Sequence, residues 1–462
     1  MQLMLSECAK SIGGELVGED VVVTSVSIDT RAIQPGQTYV AIKGENHDGN
    51  AFVSQAIAAG ATSAIVHKGV DTAIPNIVVD DTRLALADLA GTWREKLALR
   101  VVGVTGSNGK TTVKEMIAAI LGLQAKVLFT QGNLNNDIGV PLTLLRLNEQ
   151  YQYAVIEMGA NHPGEIAYTS RIAKADVAVI TNAGPAHLEG FGSIEGVARS
   201  KGEIYQALNQ AGIAIINKDD AFYDDWKKLA GGRQSFSFGL SADADVTASN
   251  VRTEILYEDV AGQNNSARFV TRFELLTSKG GLEVSIRLAG RHNVINALAA
   301  AAACLALDIE LEQIKKGLES LLPVKGRLQP LIGGRGNIVI DDTYNANAAS
   351  LEAGLDVLIN CPGKPWLILG AFGEQGPNSP QIHHDLGKLI KAKGVKRLMA
   401  VGDDARNTVQ AFGQGASFYA TQNELIDALN GELQGNEALL IKGSRAQRME
   451  HVTTALLETT GI

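Results

Sequence analysis

Cysteine is scarce in this sequence. Of 462 residues only Cys8, Cys304 and Cys361 are cysteines, far apart and in no zinc or redox spacing. Nothing therefore asks for a disulfide framework, a zinc module or an oxidising compartment. A basic excess is missing too. Lys and Arg number 41 against 50 Asp and Glu, for a net charge of −9. That excludes a chain that coats nucleic acid, and an anionic ligand must be held by local groups. Long apolar runs are also absent. The longest, residues 297–307, is mostly alanine and too short to span a bilayer as a helix. Near the N-terminus Glu7, Lys10 and Glu15 interrupt any signal-peptide pattern. No internal repeat or low-complexity tract is visible. The expectation is a cytoplasmic protein with no membrane and no nucleic-acid partner.

What is present is ordinary globular composition, 45% hydrophobic and 20% charged, in a chain long enough for about three domains. The expected class is α/β throughout. Residues 1–83 read as a small α/β domain, with short β-rich runs at 21–23 and 39–42, a helix near 52–59, and turns at Gln34-Pro35-Gly36 and Asp48-Gly49-Asn50. Residues 84–322 open with a helix over about 84–97. Buried-strand patterns then alternate with helices (101–104, 154–156, 177–180, 213–216), which argues a mostly parallel sheet. Residues 245–288 read as an antiparallel addition, followed by an alanine-rich helix. After Leu321-Leu322-Pro323 the alternation restarts (338–340, 366–369, 397–400, 438–441), so residues 323–462 read as a Rossmann-like doubly wound domain.

Chemistry enters between the first strand and first helix of the middle block, at Thr105-Gly106-Ser107-Asn108-Gly109-Lys110-Thr111-Thr112. Small residues let backbone N–H groups turn inward around an anion, and the helix N-terminus adds its positive end. Lys110 would reach the β- and γ-phosphates and the Thr111 hydroxyl would face Mg²⁺. Glycine is absent where the longer Walker pattern wants it, at Val104, so this is the short Gly-x-x-Gly-Lys-Thr form. The loop predicts a nucleoside triphosphate but not what is done with it.

Neighbouring strand ends supply candidates. Glu157 closes the 154–156 strand, at the edge where Mg²⁺ is held. His187 follows a Gly-Pro turn after the 177–180 strand, although most lone histidines are surface or satisfied core groups. Lys201 is either a solvated lysine paired to a nearby glutamate, or a partly buried neutral amine that captures CO₂ as a carbamate and so becomes an anionic metal ligand. In Gly290-Arg291-His292-Asn293, Asn293 is either a helix N-cap or, with His292, part of a pair that flanks an adenine.

Together these elements resemble the Mur ligase family over essentially the whole chain. The phosphate loop, Glu157, His187, Lys201 and Gly290-Arg291-His292-Asn293 stand in family order. Gly132-Asn133-Leu134-Asn135-Asn136-Asp137-Ile138-Gly139-Val140-Pro141, Asp341-Asp342-Thr343-Tyr344-Asn345-Ala346-Asn347 and Lys442-Gly443-Ser444-Arg445 are similar to the branch that adds D-Ala-D-Ala. The Asp-Asn-Pro-Arg signature of the diaminopimelate-adding branch is absent.

The resemblance implies ATP and Mg²⁺ as cofactors, UDP-N-acetylmuramoyl-tripeptide and D-Ala-D-Ala as partners, an acyl-phosphate intermediate, and a monomer. The N-terminal domain would hold the UDP part through Ser27, Asp29, Thr30, Arg31 and Lys43. Arg327 and Asp342 would complete the ATP site, and Mg²⁺ would be held by Thr111, Glu157, His187 and carbamylated Lys201. Asn135, Asn136, Tyr344 and Asn347 would face substrate. Lys442, Ser444 and Arg445 would hold the dipeptide, unless they form only a basic strand–helix turn. One departure stands out: Gly370-Ala371-Phe372-Gly373-Glu374 replaces the usual Gly-Asp-Met-x-Glu. Two rivals carry different expectations. A folylpolyglutamate-type ligase would share the ATP domain, and a nucleotide-binding switch would show no ligase chemistry.

Overall fold

The computed structural model describes residues 1–44, 47–185, 188–258, 266–373 and 375–458, arranged around three main sheets. The first is five-stranded and runs Glu15–Val17, Asn76–Val79, Ser63–His67, Thr38–Val40, Val26–Ser27, parallel except for its first strand. A two-stranded antiparallel pair, Leu3–Met4 with Val22–Val23, lies beside it.

The second sheet carries the phosphate loop. Its nine strands run Gly280–Ile286, Ser266–Thr277, Val246–Glu258, Ser235–Phe238, Ile213–Asn217, Val177–Ile180, Arg100–Thr105, Tyr153–Glu157, Val127–Phe129. From Val246–Glu258 to Val127–Phe129 the pairing is parallel; the last two additions are antiparallel, as the 245–288 pattern predicts. Strands in such a sheet are covered on both faces and must be apolar on both. Val102, Val104, Val155 and Val179 face the phosphate-loop helix Lys110–Leu121 and the alanine-rich helix Arg291–Leu305. Val101, Ile156, Ala178 and Ile180 face the opposite layer. Alanine dominates the second helix because it lies buried from Ala297 to Leu305 between neighbours. Close packing continues at Gly317 of the helix Leu311–Ser320, where a Cβ would collide with the backbone of Ile120.

The third sheet runs Gln329–Ile332, Ile338–Asp342, Glu437–Lys442, Lys364–Gly370, Arg397–Val401, Ala416–Tyr419, parallel except for the first strand. This is the doubly wound arrangement expected for the C-terminal block.

Several details differ from the sequence reading. The helix expected over 84–97 is Thr82–Glu95, because Asp81 caps it by accepting from the N–H groups of Arg83 and Leu84. Leu86 and Leu89 of that helix join a core shared by N-terminal strands and the central sheet, so the linker helix belongs to both. The strands Val127–Phe129, Ser235–Phe238, Gln329–Ile332 and Ala416–Tyr419 escaped notice; so short a run shows no period, and the last three are broken by Ser, Gln or Pro where the equally short Val177–Ile180 is wholly apolar. Among the described residues no helix is long and apolar enough to cross a membrane.

Candidate active site

The strand Arg100–Thr105 lies between Val177–Ile180 and Tyr153–Glu157, the point where successive connections leave in opposite directions. In α/β sheets a crevice opens there at the carboxyl edge. The loop that fills it depends on two glycines. Gly106 has φ 145° and a Cβ there would strike Thr181 Oγ1; Gly109 has φ 82° and a Cβ would strike the Asn296 amide. Gly109 is the N-cap of Lys110–Leu121, and the first-turn amides of a helix have no intrahelical partner. The loop is tied down from the next strand end. Asn108 N–H donates to Asn182 Oδ1 (3.0 Å), and Thr181 Oγ1 (2.6 Å) and Asn182 Nδ2 (3.1 Å) donate to the Asn108 carbonyl. Lys110 Nζ crosses the loop to the carbonyls of Gly106 (2.6 Å) and Ser107 (3.2 Å). Burial lowers the Lys110 ammonium below its ordinary pKa; the Glu157 carboxylate opposes this and the Arg327 guanidinium adds a smaller push down.

Glu157 is only 3% exposed. Its Oε1 accepts from Asn135 Nδ2 (2.9 Å), while Oε2 is buried with no hydrogen-bond partner among the described residues. A buried carboxylate oxygen in that condition is costly unless a cation or donor joins it, and an oxygen donor of this kind suits Mg²⁺. Thr111, the other oxygen donor expected on the metal, accepts from Arg327 Nη2 (3.2 Å). Lys201 is 2% exposed, with Nζ 5.4 Å from the Phe191 ring centre. The solvated-face reading of Lys201 is therefore wrong. Burial and then the charge of Lys110 push its pKa down to about 7, so much of it is a neutral amine near neutral pH. It lines neither cavity described below. His187 and Glu374 lie outside the described residues.

Two cavities meet at the loop. One, about 420 Å³, lies between Asn108, Gly109, Leu288, His292, Asn296 and Leu321. Burial holds His292 at a pKa of about 4, a neutral imidazole. Asn293 is not the N-cap expected as one alternative; Gly290 is, and Asn293 lies buried in the first turn, donating to the Ala289 carbonyl (2.7 Å). The other cavity, about 330 Å³, is bordered by Lys110, Thr111, Asn135, Asn136, Glu157 and Tyr344. The C-terminal domain forms one wall of both. Arg327 stacks over the Tyr344 ring at 4.3 Å, and Asn347 Nδ2 donates to Asn108 Oδ1 (2.8 Å). Asp342 borders both cavities.

Three residues expected to hold a dipeptide are differently placed. Lys442 is 1% exposed and donates to Asp342 Oδ2 (2.5 Å) and the Asn345 carbonyl (3.0 Å), so its charge is already met, although it borders the second cavity. Ser444 Oγ donates to the Ala371 carbonyl (2.8 Å). Arg445 is exposed and pairs with Glu450 (3.0 Å). Ala371, at the departure noted in the sequence, is buried against Gly402 and borders neither cavity. In the N-terminal domain Arg31 donates twice to Asp29 (2.9 and 2.8 Å), holding that carboxyl at about 2. Ser27 and Asp29 bond to one another, and the backbones of Lys43 and Asp48 form an isolated antiparallel bridge. None of these, nor Thr30, borders either cavity. Sequence reasoning missed Thr181 and Asn182, although they follow a parallel strand end just as Glu157 does. It also missed Asn296 and Thr130, which carry no motif.

Fold and site define a phosphate-loop protein whose nucleotide crevice is roofed by a second α/β domain. Family models agree along the chain: "Mur ligase family, catalytic domain" matches residues 22–94, "Mur ligase middle domain" 104–304, and "Mur ligase, glutamate ligase domain" 326–445. A curated relative from Escherichia coli (strain K12), UDP-N-acetylmuramoyl-tripeptide--D-alanyl-D-alanine ligase, is 42% identical over 461 residues, covering 99% of each chain. The crystal structure of MurF from Acinetobacter baumannii superposes with a TM-score of 0.91 at 38% identity, covering 99% of both chains. MurF from Thermotoga maritima, solved in complex with ADP, gives 0.82 at 26% identity over 95% of this chain and 98% of that one. The chain belongs to the Mur ligase family.

Proposed function

We propose that this chain ligates D-Ala-D-Ala to UDP-N-acetylmuramoyl-tripeptide in peptidoglycan synthesis, consuming ATP through an acyl phosphate. The observation that carries the reading is the polar cavity where Lys110 and Glu157 Oε2, which has no partner among the described residues, meet Arg327 and Tyr344 of the other domain. Relatives that cover 99% of the chain supply the substrates by name.

Joining a carboxylate to an amine in water is uphill, so the carboxylate must first become an acyl donor. The terminal carboxylate of the tripeptide attacks the γ-phosphorus, and the bridging oxygen leaves with ADP. Both partners are anionic, and Lys110 and Arg327 bring two cations to the place where they meet. Thr111 and Glu157 are the oxygen donors that would hold Mg²⁺, with His187 and a Lys201 carbamate as further ligands, and the ion would neutralise phosphate charge. The amine of D-Ala-D-Ala then attacks the acyl carbon, loses a proton, and phosphate departs. The apolar walls of the larger cavity suit a base, with His292 stacking on it. Closure of the C-terminal domain over bound substrates would keep water from the acyl phosphate. Ser27, Asp29, Thr30, Arg31 and Lys43 remain the proposed UDP side of the precursor site, in a monomer working in the cytoplasm where ATP is made.

The test is phosphate release with UDP-precursors of different peptide length, each with and without D-Ala-D-Ala. Release is expected only with the tripeptide precursor and the dipeptide together. Release that ignores either one overturns the reading in favour of a folate-type ligase or a nucleotide switch.

A further inference from the structure

Lys114 lies one turn beyond Lys110 on the phosphate-loop helix, is 1% exposed, and belongs to no motif used above. A buried lysine is expensive unless its donors are engaged and its charge is offset. Here Nζ donates to the Thr130 carbonyl (2.7 Å), pairs with Glu115 Oε1 (2.9 Å) and stands 5.4 Å from the centre of the Phe129 ring. Thr130 is fully buried and works in three directions. Its carbonyl takes Lys114, its N–H donates to the Val155 carbonyl (3.1 Å), and its Oγ1 accepts from the Glu157 N–H (3.0 Å). The same segment runs on to Asn135, whose amide holds Glu157 Oε1 and whose carbonyl accepts from the Gly159 N–H (2.8 Å). Glu157 is thus gripped on its backbone by Thr130 and on its side chain by Asn135, and Lys114 pins the start of that segment to the helix that carries Lys110 and Thr111.

We infer that Lys114 and Thr130 are positioning residues that set the free Glu157 carboxylate oxygen at the height of the phosphate loop, so that a nucleotide-bound divalent cation is shared between them. The inference rests on the ligase reading only in taking the ligand to be a magnesium nucleotide. A Thr130 side chain with no acceptor would free the Glu157 N–H and let the strand end drift. A Lys114 side chain with no donor would release the segment as a whole. Partners that orient a metal ligand typically govern about 10- to 100-fold in metal affinity.

The experiment measures ADP affinity of the full chain with Mg²⁺ and with EDTA, without peptide substrates. The ratio of the two dissociation constants reports the cation alone. Thr130→Val, close to isosteric, is expected to cut that ratio by roughly 10-fold, and Thr130→Ser, which keeps the acceptor, to stay within about twofold of the parent. Lys114→Met is expected to follow Thr130→Val, and if it fails to fold the Thr130 pair decides. An unchanged ratio in Thr130→Val, or an equal fall in Thr130→Ser, overturns the inference. A parent chain that shows the Mg²⁺ gain but no dipeptide-dependent phosphate release would instead refute the ligase reading and leave this inference standing.

Discussion

The cavity around His292 and the cavity around Glu157 share Asn108, Gly109, Arg327, Asp342 and Ser350 along their common wall. Away from that wall they diverge. The first continues into Leu288, Ile295, Leu321 and Leu322 around an imidazole held neutral by burial. The second continues into Glu157, Glu165, Lys110 and Lys442. An apolar recess suits the flat, uncharged end of a nucleotide, and a recess of opposed charges suits the end where phosphorus is transferred. The difference teaches that recognition and chemistry are divided across the phosphate loop. Substitutions on one side should move affinity, and on the other the rate.

The largest break is expected on the charged side. Lys110→Met and Glu157→Gln each remove stabilisation of transferred charge, which is worth about 10²–10³ in rate or more. Phosphate release should fall by that factor while the thermal unfolding midpoint stays near that of the parent. Activity within about threefold of the parent in either variant would remove the site. Lys201 sharpens the same side. With its folded pKa near 7 against 10.5 when unfolded, the unfolded chain binds more protons between those values, so stability rises with pH from 7 to 10.5. Below pH 7 the buried ammonium costs the fold its full penalty. Lys201→Met should therefore raise stability at pH 6 by about 1–4 kcal/mol and abolish ligation. If the amine acts as a carbamate, stripping CO₂ from the buffer should depress the parent rate reversibly. A Lys201→Met variant as active as the parent would end its role.

How far the residues disclosed this arrangement depended on what each one encodes. The phosphate loop was legible because Gly106 and Gly109 encode backbone conformation directly: side chains there would strike Thr181 and Asn296. Glu157 was legible from its place at a parallel strand end. Lys201 was not, since a helix face shows its period but not its neighbour, and only the packing of Phe191 decides that the amine is dry. Lys442 was legible only in part: it borders the second cavity, but with its charge already met. A basic turn near a strand end reads as an anion site, and Asp342, 100 residues away in sequence, already occupies it. Thr130 left no signature at all, because its role lies in three hydrogen bonds made to parts of the chain remote from one another.

On the recognition side the effects should be smaller and should appear in KM. His292→Ala removes the ring that faces the larger cavity, and the KM for ATP should rise about 10-fold with kcat moved less than about threefold, the pattern of lost uniform binding. Because His292 has a folded pKa of about 4 against 6.5 in the unfolded chain, it is neutral at every working pH. Its contribution to stability is lost as pH falls from 6.5 towards 4. The acid unfolding midpoint of His292→Ala should accordingly lie lower than the parent's. A kcat that collapses while KM holds would contradict the division of labour.

The smallest effect should come from Arg445, one of the three residues that the resemblance offered for dipeptide binding. Arg445 follows Lys442 and Ser444 in one turn, yet its guanidinium points to Glu450 at 3.0 Å, its side chain is 65% exposed, and it borders neither cavity. An exposed pair of that kind contributes about 0–1 kcal/mol. Arg445→Ala should therefore leave the KM for D-Ala-D-Ala within about threefold and the unfolding midpoint nearly unmoved. Titration of the dipeptide against phosphate release decides it. A KM increase beyond about 10-fold would mean that the turn swings inward when substrate binds and that the second cavity extends past Lys442. The charged side would then be larger than these walls show, and recognition of the dipeptide would move onto the side assigned here to chemistry.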